Sequence, residues 1–183
     1  MKNNKGFSLI ELIVVVAIMA IMGSFIFFSF GLLTGQDARK CANNLSTVLD
    51  KEKNYALTKS AETDCCVEIE STADGYRAKY YVPQKAIGAG TNMMEEEEIG
   101  KPSVTIRCYY DDNFEDASVG DYKSTLAVSD ILTITYDRVS GAVKEIKLNG
   151  STENINKIQI EKGRTYEIRL FTATGKHTME RTD

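Results

Sequence analysis

The fold is decided by the stretch Lys5-Gly6-Phe7-Ser8-Leu9-Ile10-Glu11-Leu12, which opens an uncharged apolar run that ends at Leu33. That run of about 22 residues would measure roughly 33 Å as a helix, which is enough to cross a bilayer. A single carboxylate, Glu11, stands where such a helix would enter the hydrocarbon. An acid at that depth is costly unless it is paired, so the sequence predicts a functional role for Glu11.

The same eight residues closely resemble the processing site of type IV prepilins and type II secretion pseudopilins. The resemblance implies that a prepilin peptidase cuts between Gly6 and Phe7 and methylates the new amino terminus. It also implies that Glu11 pairs with the terminal amine of a neighbouring subunit during assembly. An ordinary signal peptide fits less well, because its apolar core has 7–15 residues and its cleavage site follows that core.

The flanking charges indicate how the apolar run is oriented. Lys2 and Lys5 precede it, so the positive-inside rule places the leader in the cytoplasm and everything after Leu33 outside. We therefore expect a single-pass protein of the cytoplasmic (inner) membrane with an extracytoplasmic head. The resemblance implies that the subunit later enters a cell-surface or periplasmic filament.

Four segments are predicted along the chain: a cleaved leader at 1–6, a transmembrane or filament-core helix at 7–33, an amphipathic helix at 34–60 and an antiparallel β head domain at 61–183. The amphipathic helix is indicated by apolar residues at spacings of mostly three, four or seven. These residues are Ala38, Cys41, Ala42, Leu45, Val48, Leu49, Tyr55 and Ala56. We expect one long helix from about Ser8 to about Lys59.

After this helix, short alternating segments predict an antiparallel sheet, and hence an α+β chain whose helix packs on that sheet. The predicted strands are Cys65–Glu70, Tyr76–Val82, Val104–Tyr110, Ile131–Tyr136, Val143–Leu148, Lys157–Glu161 and Thr165–Phe171. Asn149-Gly150 is a strong signal for a tight turn. The stretch from Gln84 to Pro102, with four consecutive glutamates at Glu95–Glu98, is expected to be a solvated surface loop.

The last third of the chain carries a second, more diffuse resemblance. Apolar spacing and glycines over Ile134–Gly141, Ile158–Ile160, Gly163–Ile168 and Thr174–Lys176 are similar to those of H-type minor pseudopilins and FimT-like minor pilins. That resemblance implies two small antiparallel sheets packed against the second half of the long helix. It favours a minor subunit over the bulk subunit.

Four cysteines are present, and an extracytoplasmic domain permits disulfides. Cys65 and Cys66 are neighbours in a predicted strand, so their side chains should point to opposite faces. Two alternatives stay open. One is a single bridge from this pair to Cys108, and the other is buried thiols that behave as small apolar residues.

One acidic segment is a weak candidate for calcium, which prefers clusters of oxygen ligands. Its ligands would be Asp111, Asp112, Asn113, Glu115 and Asp116. The segment lacks the glycine and the final glutamate of a calcium-binding loop, so a solvated acidic loop is the favoured interpretation.

Nothing in the sequence predicts an enzyme or a cofactor. The single histidine, His177, lies near the C terminus and is expected to be exposed at a strand end. Serine nucleophiles of the G-x-S-x-G type and phosphate-binding loops are not found. The net charge of −4 also offers no general basic field for nucleic acid.

These observations predict a structural minor pilin or pseudopilin of a type IV pilus or type II secretion pseudopilus. Its partners would be prepilin peptidase, other pilin subunits, the inner-membrane assembly platform and, before assembly, membrane lipid. One alternative is a DNA-uptake minor pilin, but residues 150–183 hold six basic and five acidic residues, so nucleic-acid binding is not expected. Another is a plain membrane-anchored extracytoplasmic binding module.

Overall fold

A computed structural model divides the chain into two compact units, Met1–Thr34 and Gly35–Asp183. The residues that the structure describes are 9–58, 65–82, 93–110 and 121–182, without the side chains of 24–34, 81–82, 93–94 and 121–123. The second unit is called the head.

A helix, α1, occupies Leu9–Thr58 and contributes to both units. Its 50 residues contain no proline, so every residue can donate its backbone N–H to the helical ladder. In the first unit its apolar side chains are exposed: Leu9 is 77%, Ile10 71% and Met19 68% accessible.

Over the described residues, no helix combines the length and the hydropathy needed to cross a membrane. The predicted transmembrane segment 7–33 includes residues 7–8 and the side chains of 24–33, which lie outside the description.

In the head, α1 buries one continuous apolar stripe, which confirms the amphipathic pattern. The stripe holds the eight residues that the spacing predicts, and each is at most 8% exposed: Ala38, Cys41, Ala42, Leu45, Val48, Leu49, Tyr55 and Ala56. Because the spacing of these residues matches the helical period, their side chains line up on one face and pack into the head's core.

Eleven strands follow α1 within the described residues. Their bounds are β1 Cys65–Thr72, β2 Gly75–Val82, β3 Met93–Gly100, β4 Thr105–Tyr110, β5 Asp121–Thr125, β6 Ile131–Tyr136, β7 Val143–Leu148, β8 Ser151–Thr152, β9 Lys157–Glu161, β10 Thr165–Phe171 and β11 Lys176–Arg181. Sheet A has the order β3-β2-β1-β6-β7-β8, and sheet B has the order β11-β10-β9-β4-β5. All the pairings are antiparallel.

Both sheets place alternate side chains into the same core. In sheet A, Val67 faces Ile134 across the β1–β6 pair, and both are fully buried. In sheet B, Ile158 and Ile168 are opposite each other on β9 and β10 and are likewise inaccessible. The α+β prediction, a long helix followed by antiparallel sheets, is therefore confirmed.

The tight turn predicted at Asn149-Gly150 is also present. Both residues have positive φ, 52° and 81°, and they connect β7 to β8 with Leu148 opposite Ser151. Two positive φ angles match the twist of a two-residue hairpin, which explains the preference for asparagine followed by glycine.

The predicted loop from Gln84 to Pro102 is wrong over its second half. Met93–Gly100 forms β3, an edge strand of sheet A that pairs with β2. The four glutamates alternate in direction along the strand, and three of them, Glu95, Glu96 and Glu97, contact basic or hydroxyl groups on neighbouring elements. Strands β5, β8 and β11 were also not predicted.

Candidate functional site

Glu11 occupies the first turn of the described helix α1. Its side chain is exposed, and so are those of the flanking Ile10 and Leu12, at 71% and 62%. An acid near a helix N terminus interacts favourably with the helix dipole. The arrangement presents one carboxylate on an otherwise apolar helical surface. Gly6 and Phe7, the other predicted site residues, lie outside the described residues.

In the head, the glutamates of β3 divide between the two faces of sheet A. Glu96 lies on the outer face, where its Oε1 accepts from Arg77 Nη1 at 2.9 Å. Glu97 points toward α1, and its Oε2 is 3.1 Å from Lys51 Nζ and 3.3 Å from the Tyr80 hydroxyl. These contacts join the edge strand to both the helix and β2.

His177 on β11 is not exposed, contrary to the prediction. Its side chain is 5% accessible, and its Nε2 lies 2.7 Å from Ser46 Oγ on α1. Burial lowers the pKa of His177, while the nearby carboxylate of Asp50 opposes that shift. The sequence pattern does not predict β11, so this contact between β11 and α1 is not predicted either.

The Ser46–His177 contact is not arranged as a catalytic triad. The nearest carboxylate oxygen, Asp50 Oδ2, lies 3.8 Å from Nε2, the same ring nitrogen that meets the serine. In a triad the carboxylate binds the opposite nitrogen and thereby sets the tautomer. The contact therefore serves to attach β11 to α1.

All four cysteines lie within the described residues, and the bridge from Cys65 or Cys66 to Cys108 stays a prediction beside the alternative of buried thiols. Cys65 lies on β1 of sheet A and Cys108 on β4 of sheet B, and both are buried in the core. Cys66 is more accessible, so the neighbouring pair does point to opposite faces. Burial raises the pKa of Cys41 and of Cys108 to about 12, which keeps both protonated and unreactive.

The calcium candidate made of Asp111, Asp112, Asn113, Glu115 and Asp116 lies outside the described residues. Within the residues that are described, no three histidine, cysteine or acidic side chains come together as metal ligands.

A cleft of about 470 Å³ opens between β7, the β8–β9 connection and the end of β10. Its polar wall includes Glu145, which binds Lys147 at 2.7 Å and accepts from Thr152 Oγ1 at 2.6 Å. Glu145 is therefore engaged with its neighbours on sheet A. No histidine or cysteine appears among the described residues that line this cleft.

Residues 1–27 match the family model described as the prokaryotic N-terminal methylation motif. Neither the curated proteins nor the solved structures contain a match to the chain. The motif is consistent with a type IV pilin-like protein that is processed at its N terminus, and it implies prepilin peptidase and other pilins as partners. This family signal points to a structural protein rather than an enzyme.

Proposed function

We propose that the chain is a minor pilin or pseudopilin, a structural subunit of a type IV pilus or type II secretion pseudopilus. One observation carries the proposal. The segment that matches the methylation motif continues as a helix whose exposed apolar surface bears the single carboxylate Glu11. A bundle of processed pilin helices supplies an apolar environment for that surface and a positive terminal amine for the carboxylate.

Processing comes first in this scheme. Prepilin peptidase removes the leader 1–6 after Gly6 and methylates the amine of Phe7. Until assembly, the segment 7–33 resides in the cytoplasmic membrane, with the head outside. The match supports this step, because the matched motif is one of N-terminal methylation.

Assembly then depends on charge pairing at low dielectric. Helices in lipid gain no hydrophobic energy from one another, so polar contacts and close packing determine how they associate. Processing gives Phe7 a positive amine next to an apolar helix, and Glu11 on a neighbouring subunit is its natural partner. Removing one member of such a pair leaves a buried charge uncompensated and costs about 3–5 kcal/mol.

The test is the substitution Glu11→Val in the full-length chain. The variant should be cut and methylated normally, because the cleavage site is upstream, and it should remain in the membrane fraction. It should be absent from sheared filaments or pseudopili. Intact mass of the membrane-resident protein measures processing, and immunoblotting of the sheared fraction measures assembly.

The matched control is Ile10→Val, which changes the adjacent residue without removing charge and should assemble normally. Normal incorporation of Glu11→Val would rule out the pairing role of Glu11. A mature protein that still carries residues 1–6 would instead support the plain membrane-anchored module.

The DNA-uptake alternative gains little from the head. Among the basic residues after Gly150, Lys157 is only 7% exposed, and its ammonium lies 4.7 Å from the centre of the Tyr109 ring. Arg169 lies 3.8 Å from the carboxylate of Glu167. Lys157 and Arg169 are therefore poorly placed to neutralise phosphates, because the first is buried and the second is close to a carboxylate.

A further inference from the structure

Five cations gather at the end of the head where its helix begins. Arg39 and Lys40 belong to α1, Lys101 follows β3, and Lys162 and Arg164 lie in the turn between β9 and β10. We call these five residues the basal collar. They come from three segments that are distant in the sequence.

Asp37 holds two of the collar lysines in place. Its Oδ1 lies 3.2 Å from Lys101 Nζ, and its Oδ2 lies 2.5 Å from Lys162 Nζ. Lys162 also donates to Ser103 Oγ at 2.6 Å. Hydrogen bonds from Lys162 and Lys101 lower the pKa of Asp37, so this carboxylate stays ionised and is already engaged by two ammonium groups.

The stem of Arg164 packs directly on the helix at Gly35. A Cβ atom on Gly35 would lie 2.6 Å from Arg164 Cγ and 2.9 Å from its Nε. A larger residue at this helical position would therefore displace the arginine. Because Gly35 has no side chain, the stem of Arg164 lies against the helix one turn before Arg39.

The collar has more positive charge than its surroundings neutralise. Within the described part of the chain, Arg39, Lys40 and Arg164 form no ion pair, and Lys101 remains 63% exposed. Asp37 is the carboxylate that pairs with collar cations, and Glu161, next to Lys162, pairs instead with Arg107 outside the collar. The five collar cations and Asp37 together carry +4, whereas the whole chain carries −4.

The position of the collar in the sequence points to its partner. Arg39 follows the last apolar residue, Leu33, by six residues, which is about 9 Å of helical rise. The headgroup layer of a bilayer extends several ångströms beyond the hydrocarbon on each side. If the apolar run lies in the membrane, as the proposed function requires, the backbone at Arg39 and Lys40 lies just beyond the lipid phosphates, and their long side chains reach back to that depth.

We propose that the basal collar binds the phosphates of anionic phospholipids and holds the head against the membrane surface before assembly. Arginine and lysine form charge-assisted hydrogen bonds with phosphate, and basic residues are attracted to an anionic membrane surface. Drawing a subunit into a filament then requires the collar to leave these phosphates. The inference rests on the membrane residence that the proposed function assumes.

The test is lysine footprinting of the full-length chain in vesicles of phosphatidylcholine, with or without phosphatidylglycerol. A neutral acylating ester modifies exposed lysines, and mass spectrometry gives the rate at each one. Lys40 and Lys101 should be protected only in the anionic vesicles, and high salt should remove this protection. Lys176, exposed on β11, should react equally in both and serves as the internal reference.

The variant Arg39→Gln keeps the reporter lysines and removes one collar charge. The ratio of membrane-docked to undocked heads should fall about fivefold, which corresponds to about 1 kcal/mol per basic residue near an anionic surface. The matched control is Arg138→Gln, which removes an arginine outside the collar and should leave protection unchanged.

Equal acylation of Lys40 in neutral and anionic vesicles would overturn the inference while leaving the proposed function intact. Protection that follows the protein-to-lipid ratio, whatever the lipid, would also overturn it and assign the collar to a second copy of the chain. Protection by duplex DNA but not by anionic lipid would assign it to nucleic acid. A chain that enters neither kind of vesicle would contradict the proposed function itself.

Discussion

Two parts of the same helix show two different fates for apolar side chains. Between Leu9 and Met22 they are exposed, whereas between Ala38 and Ala56 the apolar stripe is buried. Leu12 is 62% accessible and Leu45 is 0% accessible, although both are leucines in α1. The difference arises because, in the head, the two sheets pack against the apolar stripe of α1 and bury it.

This contrast shows which part of the molecule is complete by itself. Each buried apolar Å² contributes roughly 25 cal/mol, so the stripe on the head half of α1 is an integral part of folding. The exposed half gains that energy only from molecules outside the chain. In the proposed function these are first lipid and then the helices of other subunits.

The largest effect is expected from a matched pair of leucine substitutions. Leu45→Ala should destabilise the head by about 2–5 kcal/mol, because it removes a fully buried side chain and leaves a cavity. Leu12→Ala should leave the unfolding of the head unchanged. Thermal or urea unfolding of the full-length protein in detergent, followed by circular dichroism, measures both. Equal loss of stability in the two variants would break the distinction between the halves.

A pair of glycines gives a second, smaller test. A Cβ on Gly100 would lie 2.6 Å from the sulfur of Cys41 on α1, whereas Gly23 has open space around it. Gly100→Ala should therefore cost about 1–3 kcal/mol through overpacking. Gly23→Ala should have no cost and should favour the helix, since alanine is the better helix former. The same unfolding experiment measures both variants. If Gly100→Ala leaves the stability of the head unchanged, the tight packing of β3 on α1 is contradicted.

The contact between His177 and Ser46 predicts a pH dependence for the head half of α1. Burial lowers the pKa of His177 in the folded state, so the unfolded chain binds the proton more readily. The contribution of the histidine is complete above its unfolded pKa of about 6.5 and is lost as the pH falls below it. Unfolding should therefore occur at a lower temperature at pH 5 than at pH 7.5.

Replacing the histidine sharpens that prediction. His177→Gln should cost about 1 kcal/mol at pH 7.5 through the lost hydrogen bond, and it should reduce the difference between the two pH values. Asp50 and Lys53 of α1 also face the ring, so Asp50→Asn is the matched control for the charge opposite it. If the unfolding temperature of His177→Gln changes with pH as much as that of the wild type, His177 is not the source of the pH dependence.

The smallest effect is expected at the surface contact between Lys51 and Glu97. Both side chains are substantially exposed, at 46% and 40%, and such pairs typically contribute less than about 1 kcal/mol. Lys51→Gln should shift the unfolding midpoint only slightly, and the shift should decrease further at high salt. A loss comparable to that of Leu45→Ala would mean that this contact, rather than the buried stripe, holds β3 to the helix.

The sequence predicts the parts of the fold that depend on local pattern. Four strands have the bounds expected from alternation and turn residues: β6, β7, β9 and β10. Strand β3 was not predicted, because four adjacent glutamates are typical of a solvated loop. Arg77 and Lys51 pair with two of these glutamates, but both are remote in sequence and become neighbours of the strand only after folding.

The same distinction holds for the sites. The N-terminal motif with Glu11 is contiguous, so it is visible in the sequence and independently matched over residues 1–27. The basal collar and the contact of His177 with α1 join segments that are far apart along the chain. Net charge and the count of histidines carry no information about such proximity.

The edge strand β3 affects whether closely packed copies of this protein associate edge to edge. An edge strand of eight residues offers unpaired backbone groups to any similar strand that approaches it, which is a common route to aggregation. Two β3 edges brought together would place eight carboxylates along one seam, and their repulsion opposes that pairing. The glutamates would thereby keep crowded heads from joining edge to edge, leaving the helices to determine how subunits associate.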